Sequence, residues 1–362
     1  MDYAEQPYRR LPDEGTRLES IFTGLRLTIG KYKRSIERYP KLSPLDEYPL
    51  VPYLIEDGLR FQYDSSSIAS WLDDRSEDHS RLLIPSQGSL KFIVRLIDEA
   101  FDEFGLYMVH HQRWVTSAAT NNAGARLAHE FRQLLPFFCK NLLAEYFSQR
   151  QVRRLPYLFS VAPYAPSPWA GWPATHQLLD EAWLSYLNAM ETLLSSQPYI
   201  LGGRFTLADA SAYGQLSMNL KDKTTSDRLL ELAPVTHRWL CHIRDGGHVG
   251  SDGDLVLSTK LKPLLDIIMM TFVPLMEQNK SAYSEAVKSG ETLFNEAAFN
   301  HGKCLYAGEL NGHAFRSVVK TFQVEVWQGV CENWKQLSDA ERNLLKSFLG
   351  DASCVFESQM CS

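Results

Sequence analysis

The chain has 362 residues, 44% of them hydrophobic and 22% charged, with a formal net charge of −6. That length holds two or three domains with sizeable cores, and the acidic balance argues against nucleic acid as the main partner. The cysteines, at positions 139, 241, 304, 331, 354 and 361, are scattered without a CxxC pair, which points away from a disulfide framework or a zinc site and fits a reduced compartment.

Residues 1–17 are polar, carry two prolines and show no periodicity, so they read as a loosely attached arm. A helix is expected from Ser20 onward, because Leu25, Ile29 and Tyr32 share one face while Arg26, Lys31, Lys33 and Arg34 lie mostly off it. Ser20 reads as its N-cap or as a functional hydroxyl. Residues 35–50 form a connector with Pro40, Pro44 and Pro49. Residues 48–74 then read as strand, tight turn, strand and helix. Val51, Tyr53 and Ile55 alternate on the first strand and Leu59, Phe61 and Tyr63 on the return, with Asp57-Gly58 as a two-residue turn between them. Asp64, Ser65, Ser66 and Ser67 are N-cap types ahead of Ile68, Trp71 and Leu72 at helical spacing. Free N–H groups beside short hydroxyls make a ready site for a carboxylate. Residues 73–85 are a polar linker.

From Ser89 the chain becomes helical, with an apolar face at Leu90, Ile93, Val94, Ile97, Phe101 and Phe104. Asp98 and Asp102 stand one turn apart and could form an acid–base pair, although a solvated helix face is the simpler expectation. His110 and His111 point about 100° apart on a helix and no ligand Glu follows, so no metal site is expected. A further helix is expected over 127–157, with Phe131, Leu134, Leu135 and Phe138 apolar and Pro136 kinking it. The loop that follows carries Tyr164, Trp169 and Trp172, suited to lining an apolar pocket or to packing domains together. Residues 198–209 end in Thr206 and Asp209, a reciprocal N-cap pair, and the helix they open continues through Tyr213 and Leu216. Residues 245–254 are a flexible boundary. Beyond them, 261–276 and 281–287 read as helix, Asn311-Gly312 as a hairpin turn, 322–334 as helix, and 338–349 as a helix capped by Ser338 and Glu341. The apolar run 264–276 is broken by Asp266, Thr271 and Pro274, and the N-terminus is polar, so a cytoplasmic protein with neither a signal peptide nor a membrane span is expected.

Several of these stretches, taken together, resemble the glutathione S-transferase family. Val51-Pro52 stands where the family has its Val-cis-Pro, and Asp64, Ser65 and Ile68 match its acidic-Ser-x-x-Ile turn, followed by the aromatic-Leu pair Trp71-Leu72. Leu201-Gly202 with Thr206, Ala208 and Asp209 resembles the motif opening the buried helix of the helical domain, and Pro234 with Trp239 resembles a later helix. Ser20-Ile21-Phe22-Thr23 is similar to the opening of a bacterial branch that also carries a C-terminal extension. The resemblance implies an α+β fold: a thioredoxin-like domain over 18–76, an all-helical domain over 86–245, and a mostly helical extension over 255–362. It implies glutathione as co-substrate, with Val51 and Pro52 pairing its cysteinyl backbone and Asp64 and Ser65 holding its γ-glutamyl group. Ser20 is then the hydroxyl donor to the thiolate, with Thr23 in reserve, since a thiol of pKa near 8.5 needs little more than such a donor to ionise. The family has a buried strand before this serine, and the polar residues 13–19 depart from it. The activity implied is attack of the glutathione thiolate on a small hydrophobic electrophile, or a related isomerisation or cleavage, in a protein that admits a homodimer and has no membrane or nucleic-acid partner. The alternative is a non-catalytic binding or assembly module on the same fold.

Overall fold

The computed structural model describes residues 1–11, 14–39, 52–117, 120–130, 141–146 and 172–358. They belong to two units, one formed by Met1–Leu83 with Asn122–Gln151, the other by Ile84–Asn121 with Val152–Ser362.

In the first unit, helix α1 spans Arg17–Lys33. It starts at Thr16, whose hydroxyl accepts from the Glu19 N–H at 3.2 Å while the Glu19 carboxylate accepts from the Thr16 N–H at 2.8 Å. This box satisfies two donors that a helix start leaves free. Part of the polar stretch 13–19, which departs from the family's buried strand, is therefore helix and its cap, and Thr16 takes the capping role read onto Ser20. The helix stops at Arg34, which adopts the left-handed conformation at φ 51°. Leu25, Ile29 and Tyr32 do share a face, but that face points to solvent. The inward side carries Ser20, Leu27 and Gly30, and a Cβ on Gly30 would stand 3.1 Å from Ile36 Cγ1.

Strands β1 (Tyr53–Glu56) and β2 (Arg60–Tyr63) pair antiparallel, Tyr53 opposite Tyr63 and Glu56 opposite Arg60. Asp57 and Gly58 take positive φ, at 51° and 65°, as the turn residues should. The loop nevertheless holds three residues. Leu59 donates its N–H to the Glu56 carbonyl and leaves the strand, so it is 72% exposed instead of continuing the inward alternation of Phe61 and Tyr63. Ile36, Phe61 and Tyr63 form the small core, with Leu27, Tyr53 and Ile55 against it. Glu37 bridges β2 in parallel through bonds with Phe61 and Tyr63. Helix α2 (Ser65–Asp74) follows and buries Trp71 and Leu72. The arm before α1 is tied down by Tyr3, 4% exposed beneath the Arg81 guanidinium.

The second unit opens with α3 (Gly88–Ala100), a π-helical turn over Phe101–Gly105, α4 (Leu106–His111) and a second π-helical turn over Gln112–Thr116. Each π turn takes one more residue than an α turn and rotates the faces that follow, a device frequent at functional sites. Asp98, expected on a solvated face, is fully buried. It accepts from the Ser211 hydroxyl and from Arg95 at 3.3 Å. Helix α5 (Ala123–Glu130) belongs to the first unit; Phe131, Leu134, Leu135, Pro136 and Phe138 lie outside the described residues.

Helix α6 (His176–Leu194) is buried along Leu178, Ala182, Trp183, Tyr186, Met190 and Leu193. Tyr186 stacks with Phe104 and meets Phe101 edge to face, which is why the first π turn can bury both rings. Helix α7 (Leu207–Leu216) packs on α3 and carries the Thr206–Asp209 box. Helices α8 (Lys223–Leu232) and α9 (Pro234–Arg244) follow. The first turn of α9 is capped from a distance, its Val235 and Thr236 N–H groups donating to Glu191 at 3.0 and 2.9 Å.

The C-terminal extension belongs to this same unit. It comprises α10 (Lys262–Lys288), α11 (Asn295–Asn300), strands β3 (Leu305–Leu310) and β4 (His313–Val318), α12 (Thr321–Lys335), α13 (Asp339–Leu349) and α14 (Cys354–Ser358). The hairpin turns at Asn311 and Gly312, both at positive φ, as expected. Phe356 stands 5.4 Å from Phe92 on α3 and 5.6 and 5.2 Å from Trp327 and Trp334 on α12, ring centre to ring centre. Trp172 packs on Phe299 and under Arg316; Tyr164 and Trp169 lie outside the described residues. At the start of α13, Ser338 and Glu341 form the expected box, and Glu341 also accepts from the Ser89 N–H at 3.2 Å. Ser338→Ala is expected to lower stability by about 1 kcal/mol, the usual size of a lost N-cap, read as a shift of the denaturant midpoint. Among the described residues no helix is long and apolar enough to cross a membrane.

Candidate functional site

The turn between β2 and α2 gathers the candidate binding residues. Asp64 caps α2, accepting from the N–H groups of Ser66 and Ser67 at 3.1 and 3.3 Å. Its backbone sits at φ 75° and ψ 116°, a conformation costing a non-glycine residue about 1–3 kcal/mol unless its surroundings enforce it. Arg38 enforces it. This side chain is 8% exposed, lies over the Tyr63 ring, and reaches the second carboxylate oxygen of Asp64 from Nε at 3.1 Å and Nη2 at 3.0 Å. Ser65 is exposed at the first helical position, while Ser66 and Ser67 are buried. The Ser67 hydroxyl donates to the Tyr39 carbonyl at 2.6 Å and also meets the Tyr39 N–H, which fastens residues 36–39 to the helix start. Pro52 stands just before β1, and Val51 lies outside the described residues.

Ser20 and Thr23 lie on α1. Ser20 is 7% exposed, and its hydroxyl donates to the Thr16 carbonyl one turn back at 3.1 Å. Thr23 is half-buried. Arg38 and Tyr39 are the residues that sequence reasoning missed. A signal existed, since Ile36 and Arg38 alternate with Glu37 in strand fashion, but a charged residue at an inward position inside a proline-bounded connector is not read as part of a site.

The second unit holds a separate set of buried polar groups. Lys320 is 1% exposed and its ammonium meets the Tyr107 hydroxyl, which also accepts from Gln323 at 3.0 Å; Gln323 reaches Glu103 at 3.1 Å. Asn279 holds the Lys320 backbone at both its N–H and its carbonyl, each at 2.9 Å. Further along, His111 is fully buried and shares a 2.7 Å hydrogen bond with His176. Beside it Gln112 donates to Asp180 at 2.7 Å, and Arg228 pairs with the same carboxylate from both of its terminal nitrogens. Among the described residues no group of three or more His, Cys, Asp or Glu side chains is arranged to hold a metal ion.

Burial, and then the neighbouring His176, push the His111 imidazole down to about 3. The folded value lies below the unfolded one near 6.5, so the unfolded chain takes up the proton first. The contribution is whole above pH 6.5 and is lost progressively as pH falls toward 3. Between pH 6.5 and 5 the loss should be about 2 kcal/mol, at about 1.4 kcal/mol per pH unit. Chemical denaturation at stepped pH checks this, with His111→Phe expected to flatten the slope.

Residues 173–218 match the family model of the glutathione S-transferase C-terminal domain. No curated protein and no solved structure matches the chain. The matched stretch contains α6, the Leu201-Gly202 turn and α7. At its centre Asp209 is fully buried and accepts from the Ile200 N–H at 2.8 Å, the Thr206 N–H at 3.0 Å and the Thr206 hydroxyl at 2.9 Å. The motif read from Thr206 and Asp209 and the match over residues 173–218 agree: through this helical core the chain is glutathione S-transferase-like.

Proposed function

We propose that this chain binds glutathione in its first unit and uses the thiolate against a small hydrophobic electrophile. The reading treats that unit as thioredoxin-like. In its favour are a helix, an extended segment pairing in parallel with β2, an antiparallel hairpin, and a second helix starting at the hairpin's end. The observation that carries it is Asp64, held at positive φ by Arg38 at the start of α2, with Ser65 exposed at the first helical position. Backbone strain of this kind persists where a turn serves a ligand. The γ-glutamyl carboxylate lies at Ser65, the cysteinyl backbone beside Val51 and Pro52, and the sulfur near Ser20, with Thr23 in reserve.

One observation favours a second reading, a glutathione-binding or assembly module without turnover. The Ser20 hydroxyl is turned back onto the Thr16 carbonyl, so it must rotate before it can donate to a thiolate. Titration calorimetry with glutathione tests binding. Ser65→Ala is expected to weaken it about tenfold or more, the worth of a charge-assisted hydrogen bond. Thiolate absorbance against pH then separates the two readings. In the enzyme the bound thiol ionises below its free pKa, and Ser20→Ala raises that pKa while leaving affinity nearly intact. Binding with no such shift selects the module. No binding at all sinks the enzyme and the glutathione-binding module and leaves assembly on the same fold.

A further inference from the structure

Helix α1 wears its apolar face on the outside. Leu18, Phe22, Leu25, Ile29 and Tyr32 recur at alternating steps of four and three, the spacing that lines side chains along one side of a helix. They are 67%, 62%, 55%, 51% and 90% exposed. From first to last the stripe runs ~21 Å along the axis, and its bare area is on the order of 600 Å², the upper end of what a soluble monomer leaves open. Leu59 at the hairpin loop, 72% exposed, stands beside it, because Arg26 of α1 donates to the Gly58 and Leu59 carbonyls. At 100° per residue, Arg26 and Lys33 fall along one edge of the stripe and Arg17 along the other, while Lys31 turns to the far side, its ammonium 4.6 Å from the centre of the Tyr53 ring. The single acid of the helix, Glu19, is bound by Arg9 at 2.9 Å. A basic helix thus stands out on a chain whose net charge is −6.

We propose that this face of α1 lies on an anionic lipid surface, with the five apolar side chains entering the headgroup boundary and the basic residues of both edges meeting acidic headgroups. A convex ridge of Leu, Phe, Ile and Tyr between two basic borders is the form of an interfacial helix. A second copy fits less well. In an antiparallel pair the edge that carries Arg26 and Lys33 faces its own copy, which sets cations against cations. The contact is peripheral and is compatible with the absence of a spanning helix among the described residues. It is independent of glutathione binding.

The test is sedimentation of the purified full-length protein with vesicles of phosphatidylcholine alone and of phosphatidylcholine with phosphatidylglycerol. Binding is expected to the mixed vesicles only and to weaken as salt is raised. The double variant Phe22→Ser, Ile29→Ser is expected to lower the partition coefficient about tenfold or more, since most of the inserted apolar area goes. Its melting temperature should match the parent's, because both side chains already stand in water. Three results overturn the proposal. One is failure to bind the mixed vesicles. Another is self-association that the double variant abolishes, which would make the stripe an interface between copies. The third is a melting temperature several degrees lower in the double variant, which would mean that the rest of the chain covers the stripe.

Discussion

Asp209→Ala is expected to destabilise the helical unit by about 3–5 kcal/mol, well beyond the ~1 kcal/mol of an ordinary N-cap. The difference lies in what the carboxylate holds. A surface cap deletion returns its donors to water. Here the Ile200 N–H, the Thr206 N–H and the Thr206 hydroxyl all end on Asp209, and residues 206–209 are buried with it. Removing the acceptor strands three donors in a dry interior, at about 1–3 kcal/mol each and not fully additive. The Ile200 bond also ties the preceding turn to α7, so its loss frees the entry of the chain into the helix. Equilibrium denaturation of the variant checks the figure. A loss near 1 kcal/mol would mean that water reaches the cap. Glutathione affinity per folded molecule should not change.

Phe356→Ala is the second large effect, expected at about 3–5 kcal/mol, the range for deleting a buried aromatic side chain. Phe356 is fully buried between Phe92 of α3 and Trp327 and Trp334 of α12. Rings bonded into rigid helices on three sides cannot collapse into the space, so the cavity penalty adds to the lost transfer energy. The change should also alter near-ultraviolet circular dichroism, because two tryptophans lose a neighbouring ring. Leu18→Ala on the open face of α1 is the matched control and should stay within ~0.5 kcal/mol of the parent.

What the sequence disclosed was what neighbours along the chain decide. Asn311-Gly312 names its turn, Ser338 and Glu341 name their cap, and Thr206 with Asp209 mark the start of α7, since each signal is complete within four residues. Pairings made across long gaps were hidden. Arg38 finds Asp64 on the far side of the connector, and His111 finds His176 from another helix; no spacing rule connects either pair. Two features were legible but misleading. Leu59 continues an inward alternation and yet sits in a three-residue loop, because the Asp57-Gly58 turn needs one more residue to return the strand in register. Leu25, Ile29 and Tyr32 share a face as their spacing says, but periodicity reports that a face exists and not which side of the helix the small core will take. On α1 the core took the side of Ser20, Leu27 and Gly30, where a glycine lets Ile36 approach closely.

The aromatic cluster around Phe356 also constrains how the chain is made. Phe92 leaves the ribosome roughly 260 residues ahead of its last partner, an interval of about 13–50 s at 5–20 residues per second. Through that interval the apolar side of α3 has no finished wall against which to close. Residues up to Phe356 must therefore be made before this side of the unit can settle, and a pause or a premature stop between residues 262 and 356 leaves the Phe92 side of α3 open to holdase chaperones and proteases.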